Sequence, residues 1–159
     1  MTSAHETRIV SDPDVPLVRI TREFDAPREK VFRAHTDPDL VVRWLGPRDL
    51  ETSIDHYDCR TGGSYRYVQR RGDEEYGFHG CFHEVRPDEL IVQTFTFEGT
   101  PDGVALEKLV LEDSGDGRTR LTSTSLVDSF ADRDAFVASG METGVREGYE
   151  RLDEVLAQD

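Results

Sequence analysis

Hydrophobic and polar residues alternate along much of the chain, as is typical of half-buried β-strands. The first such segment is residues 17–24, where Val18, Ile20 and Phe24 alternate with polar residues. The same two-residue period then recurs in six segments, at residues 49–58, 63–71, 75–85, 89–97, 104–112 and 118–126. Together the segments predict about seven strands.

Short turn sequences separate the six later segments. Residues 61–63, 71–73 and 86–88 carry the glycine, proline and aspartate typical of tight turns. Connections of this length join strands that are antiparallel neighbours in a sheet. We therefore expect these strands to form an antiparallel meander.

The helical pattern is confined to two regions. Between the first strand and residue 49, two short helices are predicted, the second opening at Asp37-Pro38 and ending near Trp44. After Asp128, apolar residues recur every three or four positions, which predicts one amphipathic helix over residues 131–157. Such a helix would be roughly 40 Å long, enough to cross a small sheet.

These elements predict an α+β fold in which a curved antiparallel sheet wraps around the long C-terminal helix. The order is strand, helix, helix, six strands and helix, and the helix is the element able to cover the apolar face of the sheet. Residues 1–16 are polar, contain two prolines and show no period. We expect them to form a flexible N-terminal arm before a single domain at residues 17–159.

Composition and charge argue against several classes of function. The 159 residues include 19 Lys and Arg against 33 Asp and Glu, a formal charge of −14, which disfavours nucleic acid and anionic membrane surfaces. No apolar run approaches the roughly 20 residues that a membrane-spanning helix needs. Two cysteines do not make a disulfide scaffold. We expect a cytoplasmic monomer or weak dimer without membrane insertion.

Three glycines stand out in the predicted C-terminal helix. Gly140, Gly144 and Gly148 follow one another at intervals of four and so share one helix face. A glycine inside a helix costs about 1 kcal/mol relative to alanine, so three of them need a reason. Either they allow the helix backbone to approach a neighbour closely, or they leave an empty volume that a ligand can fill.

Aromatic pairs occupy alternate positions of three strands. The pairs are Tyr65 with Tyr67, Phe78 with Phe82, and Phe95 with Phe97. Such pairs are typical of a hydrophobic core, and an aromatic-lined cleft with a few hydroxyls is also typical of small-molecule pockets. Periodicity alone leaves both interpretations open.

Four segments resemble one protein family. Residues 38–47, which contain Trp44, Gly46 and Pro47, resemble the tryptophan–glycine–proline signature of the SRPBCC superfamily, the START-like domains. Residues 58–65, 80–90 and 139–152 are similar to the glycine-pair hairpin, the next strand and the C-terminal helix of one branch. That branch is named after the activator of the 90-kDa heat-shock protein ATPase. The resemblance covers about residues 17–157.

The resemblance implies a helix-grip fold with an elongated cavity between the long helix and the sheet. The implied function is a binding module that holds an apolar or aromatic small molecule, without a cofactor. The candidate lining residues are Trp44, Tyr65, Tyr67, Gln69, Phe78, Phe82, Phe95, Phe97, Phe136, Gly140, Met141 and Gly144.

Two other functions stay open within the same superfamily. One is a cavity enzyme of the polyketide cyclase, dehydratase or hydrolase type, for which a histidine or a carboxylate such as Glu142 or Glu147 would supply acid–base chemistry. The other is a protein-interaction domain that contacts a chaperone. No catalytic residue is assigned.

A metal site is the weaker interpretation of the histidines. His79, Cys81 and His83 alternate on one strand face, and this combination can bind zinc. Because residues four apart on a strand are roughly 13 Å apart, the three cannot share one ion without distortion. We expect no metal site.

Overall fold

The computed structural model describes residues 5–158 as one curved, open antiparallel sheet with helices against one of its faces. The sheet order is β1-β2-β8-β7-β6-β5-β4-β3. The strands of this part of the chain are β1 Arg8–Ser11, β2 Leu17–Phe24, β3 Glu51–Tyr57, β4 Ser64–Arg71, β5 Glu74–Arg86, β6 Leu90–Phe97, β7 Ala105–Gly115 and β8 Arg118–Leu126. The helices are α1 Arg28–Thr36, α2 Pro38–Trp44, α3 Phe130–Ala138 and α4 Met141–Leu156. The predicted α+β class and the meander from β3 to β8 are confirmed.

Strand alternation decides which side chains face inward. In β2, Val18, Ile20 and Phe24 are buried, whereas Arg19 and Glu23 on the opposite face are partly exposed. We call the face that carries Val18 and Phe24 the inward face, because the helices pack against it.

The first strand was not expected. Arg8–Ser11 lies within the predicted flexible arm, yet it pairs with β2, with Ile9 opposite Ile20. Ile9 packs against the buried core, and one apolar inward side chain in a four-residue strand leaves too short a pattern to detect. Residues 1–4 of the predicted arm lie outside the described residues.

The C-terminal region forms two helices instead of the single predicted helix. α3 ends at Ala138 and α4 starts at Met141, and Gly140 between them has a left-handed backbone with φ of 90°. This conformation ends a right-handed helix and suits glycine, which has no Cβ. The four-residue glycine spacing resembles a continuous helix face, which is why the break was not predicted.

Caps fix the starts of two helices. The Asp37 side chain accepts a hydrogen bond from the Asp39 amide at 2.9 Å, and Pro38 occupies the first turn of α2. The Ser129 hydroxyl accepts from the Asp132 amide at 3.1 Å and starts α3. Among residues 5–158, no helix has the length and apolar composition needed to cross a membrane.

Candidate functional site

A row of inward-facing residues crosses the middle of the sheet. The strand register pairs Val18 with Ser125, Ser125 with Glu107, Glu107 with Gln93, and Gln93 with Phe82. Because directly paired residues of antiparallel strands point to the same face, all five face the helices. Three consecutive members of this row are polar.

One half of the inward face is buried tightly against the helices, and we call it the packed half. Its sheet residues Phe24 and Leu121 have no exposed surface, and neither does Leu152 of α4. Tyr149 of α4 contacts Phe24 edge-on and stacks on Trp44, with ring centroids 5.4 and 6.1 Å apart. This region is a conventional hydrophobic core.

The neighbouring part of the inward face, which we call the open half, keeps partly exposed side chains although they point toward the helices. On the sheet these are Gln93, Phe95, Glu107, Leu109 and Ser123. On the helices they are Phe136, Val137, Met141 and Val145. Side chains of both layers are therefore reachable from solvent in this part of the interface.

The aromatic pairs lie beside this region. Phe78, Phe95 and Phe97 are partly exposed, whereas Tyr65, Tyr67 and Phe82 are buried in a second core cluster. The Tyr67 and Phe78 rings stack at 5.1 Å and the Phe78 and Phe95 rings at 5.4 Å. Phe97 lies opposite Phe78 across the β5–β6 pair, and Phe82 contacts Tyr65 at 5.2 Å. The six rings share the inward face, as their spacing predicts. Their contact with a ligand stays a prediction.

Other candidate lining residues have structural partners. Trp44 lies in the packed half and donates its indole hydrogen to the Ala34 carbonyl at 2.9 Å. Gln69 is buried on the inward face of β4, with its amide nitrogen 3.4 Å from the Thr52 hydroxyl. Phe136 and Met141 are partly buried beside the core. Thus Phe136 and Met141 border the open half, whereas Trp44 belongs to the packed half.

Gly148 allows close packing of α4, whereas Gly144 has room for a Cβ atom. A Cβ on Gly148 would lie 3.2 Å from the Trp44 carbonyl oxygen, and a Cβ on Gly144 would lie 3.4 Å from Pro47 Cδ. Gly140 lies in the break between the helices, with no atom within 4 Å of its Cβ direction. Of the two explanations for the glycines, the structure favours close approach of α4 to residues 44–47.

The polar group that the sequence did not suggest is Glu107. It lies on the inward face of β7, remains partly exposed, and accepts a hydrogen bond from the Ser125 hydroxyl at 2.7 Å. Burial raises the pKa of its carboxyl, and the Ser125 hydrogen bond opposes part of that rise. Its charge contributes to raising the pKa of Tyr65, Tyr67 and Tyr149.

His35 is a buried polar residue on the helical side. Its Nδ1 lies 2.8 Å from the Val31 carbonyl, so Nδ1 carries the hydrogen, and Nε2 is buried with no partner in the described structure. Burial lowers the pKa of His35 to about 4. The imidazole contacts the Trp44 ring edge-on at 4.9 Å. A histidine in this environment is neutral at pH 7.

The other acid–base and metal candidates lie on outer surfaces. His79, Cys81 and His83 are exposed on the outward face of β5, and His79 Nδ1 lies 3.0 Å from Glu98. No cluster of three or more metal-ligating side chains occurs within residues 5–158. Glu142 lies 3.5 Å from Arg146, and Glu147 accepts from the Arg48 amide at 2.9 Å.

Two shallow surface clefts, of about 140 and 180 Å³, lie apart from the open half. The smaller is formed around Pro27 and Arg118, and the larger lies between α1, α2 and the end of α4. Charged side chains such as Arg28 and Lys30 line them, and no candidate lining residue from the sequence contributes to either.

Comparison with known proteins identifies relatives. The model of the family described as "Activator of Hsp90 ATPase homolog 1-like protein" matches residues 25–157. No curated protein matches the chain.

Solved structures share the whole fold. Protein Ms6760 from Mycobacterium smegmatis is 21% identical, with a TM-score of 0.87 over 97% of this chain and 99% of that one. A protein from Arthrobacter aurescens is 26% identical, with a TM-score of 0.86 over 96% and 92%. A protein from Rhodobacter sphaeroides is 27% identical, with a TM-score of 0.84 over 94% and 97%.

Proposed function

The chain belongs to the Activator of Hsp90 ATPase homolog 1-like family of the SRPBCC superfamily, and we propose that it binds an apolar or aromatic small molecule. The proposed site is the open half, between the inward face of the sheet and helices α3 and α4. One observation carries the proposal: inward side chains from both layers, including Leu109 and Val145, remain partly exposed.

The composition of the open half supports an apolar ligand. Phe95 and Leu109 face it from the sheet, and Met141 and Val145 face it from α4. A ligand that covers these side chains gains about 25 cal/mol for each Å² of apolar surface removed from water. The flat rings of Phe78 and Phe95 suit stacking on an aromatic ligand.

The test is a fluorescence titration with N-phenyl-1-naphthylamine, an uncharged aromatic probe whose emission increases in apolar surroundings. The blocking variant is Leu109→Trp, which fills the open half from the middle of β7. Its matched control is Val110→Trp on the same strand, because Val110 is 37% exposed on the outward face.

We expect saturable binding to the native protein and to Val110→Trp, and at least tenfold weaker binding to Leu109→Trp. Thermal melts of both variants verify that they fold, and Met141→Trp repeats the block from the helix side. Equal probe affinity in both folded tryptophan variants would refute the site, and a native protein that binds no probe would refute the function.

A further inference from the structure

An uncompensated acid lies within the open half. Glu107 faces the helices from the middle of β7, and its cross-strand neighbours Gln93 and Ser125 are uncharged. Within residues 5–158, no lysine or arginine forms an ion pair with Glu107, whose hydrogen-bond partner is the Ser125 hydroxyl. The inward face therefore carries a carboxyl group without a cation.

The buried arginine of the inward face, Arg22, already forms an ion pair with another carboxylate. Arg22 of β2 is 2% exposed and donates to both carboxylate oxygens of Asp153, each at 2.7 Å. Two further donations, to the Thr7 hydroxyl and the Glu23 carbonyl, hold the guanidinium in the packed half. Arg22 thus neutralises Asp153 and leaves Glu107 unpaired.

The groups on which the Glu107 charge acts are themselves uncharged. It contributes to raising the pKa of Tyr149 on α4 and of Tyr65 and Tyr67 on β4. The Tyr65 hydroxyl donates to the Thr94 carbonyl at 2.7 Å, so its hydrogen is not directed at Glu107.

An acid in this position destabilises the empty protein. A carboxylate that loses part of its hydration is destabilised unless a cation or several hydrogen bonds replace the lost water. Burial raises the pKa of Glu107, as expected for a carboxyl group without a cationic partner. A ligand that brings a positive charge would supply the missing partner.

We propose that the ligand of the open half carries a protonated amine on its apolar or aromatic body, and that Glu107 pairs with this amine. The proposal rests on the proposed function, because it needs a ligand in the open half. The same carboxylate disfavours fatty acids and other carboxylate ligands, since like charges repel strongly where water is excluded.

The test compares three naphthalene probes of nearly equal size: 1-naphthylmethylamine, 1-naphthalenemethanol and the acetate anion of 1-naphthylacetic acid. Their charges at pH 7.5 are positive, zero and negative. Calorimetric or fluorescence titrations are run in 0.5 M NaCl, where the Debye length of about 4 Å screens the acidic outer surface. We expect the amine to bind at least tenfold more tightly than the alcohol, and the acetate at least tenfold more weakly.

The variant Glu107→Gln tests whether the preference for the amine over the alcohol comes from this one carboxylate. The amide has nearly the size of the carboxyl and can still accept from Ser125, so we expect the alcohol affinity to change less than threefold. The amine affinity is expected to fall to the level of the alcohol. Glu112→Gln is the matched control, since Glu112 lies on the same strand and is exposed.

The outcomes separate the two proposals. If the alcohol fails to bind the native protein, the proposed function is wrong. If the alcohol binds and the amine binds no more tightly, the amine proposal alone is wrong. An amine preference that persists in Glu107→Gln also overturns it, because the preference then comes from the charge of the whole protein. The comparison of probes on the native protein needs no variant to fold.

Discussion

The two halves of the inward face share the same strands but differ in how they meet the helices. In the packed half, β7 and β8 present Leu111 and Leu121, which are 2% and 0% exposed, to helix residues as buried as Leu152. A few residues along the same strands, Leu109 and Ser123 face the helices and remain partly exposed. The difference separates residues that hold the fold together from residues that are available to a ligand.

The helix break helps to explain why the halves differ. α4 lies close to residues 44–47, where Gly148 allows its backbone within van der Waals distance of the Trp44 carbonyl. Phe136 and Val137 belong to the separate helix α3, before the turn at Gly140. The turn at Gly140 thus separates α3, which carries Phe136 and Val137, from α4, which packs against Trp44.

The comparison of the two halves is tested most strongly by shortening one leucine in each of them. Leu121→Ala removes a fully buried side chain and is expected to lower the free energy of unfolding by about 3 kcal/mol. Leu109→Ala enlarges a space that is already open, so about 1 kcal/mol is expected. Urea denaturation measures both. Equal losses would contradict the division into two halves.

Lowering the pH should destabilise the packed half, because His35 becomes protonated when the protein unfolds. The folded-state pKa of about 4 lies below the ordinary value of 6.5, so the unfolded chain binds more protons between these values. Stability attributable to His35 is complete above pH 6.5 and falls as the pH falls toward 4, by up to about 3 kcal/mol. His35→Phe removes the titration.

The measurement is the difference in unfolding free energy between the native protein and His35→Phe at pH 7 and pH 4.5. Other acidic groups affect both proteins alike, so the difference isolates His35. A constant difference across this range would show that His35 does not stay neutral in the folded state.

Replacing Gly144 and Gly148 of α4 by alanine should change the stability of the protein in opposite directions. Gly144→Ala places its Cβ in ordinary contact with Pro47 and gains helix propensity, so we expect up to about 1 kcal/mol of stabilisation. Gly148→Ala directs its Cβ at the backbone oxygen of Trp44, which cannot easily move, so we expect a loss of about 1 kcal/mol. Thermal melts compare them, and stabilisation by both would mean that α4 does not need its close approach.

The smallest expected effect concerns Glu107 in the open half. Its folded-state pKa is raised, so the folded protein binds more protons above the ordinary pKa, and the stability attributable to the group falls as the pH rises. Glu107→Gln is expected to be slightly more stable than the native protein at pH 8, by less than about 1 kcal/mol. A less stable variant would indicate that the carboxylate has a cationic partner.

The two-residue period was enough to predict the meander, because alternating segments separated by short turns recur from β3 to β8. β1 escaped prediction since Ile9 is its single core contact, and the helix break depended on the backbone of Gly140. Both features are set by tertiary contacts or by one dihedral angle, which periodicity does not record.

The candidate site was predictable in part. The aromatic residues of β4, β5 and β6 share the inward face, as alternation predicts. Glu107 was missed because Leu106 and Val110 make the outward face of β7 apolar as well, so alternation does not assign that strand's faces. Register with Ser125 and Gln93 was needed to place the carboxyl inside.

An NMR titration of the methyl groups with 1-naphthalenemethanol tests directly whether the open half binds a ligand. We expect chemical-shift changes at Leu109, Val137, Met141 and Val145, with Leu121, Leu152 and Val155 unaffected. Changes confined to the packed half, or to residues around the surface cleft between Lys30 and Leu156, would contradict a ligand site in the open half.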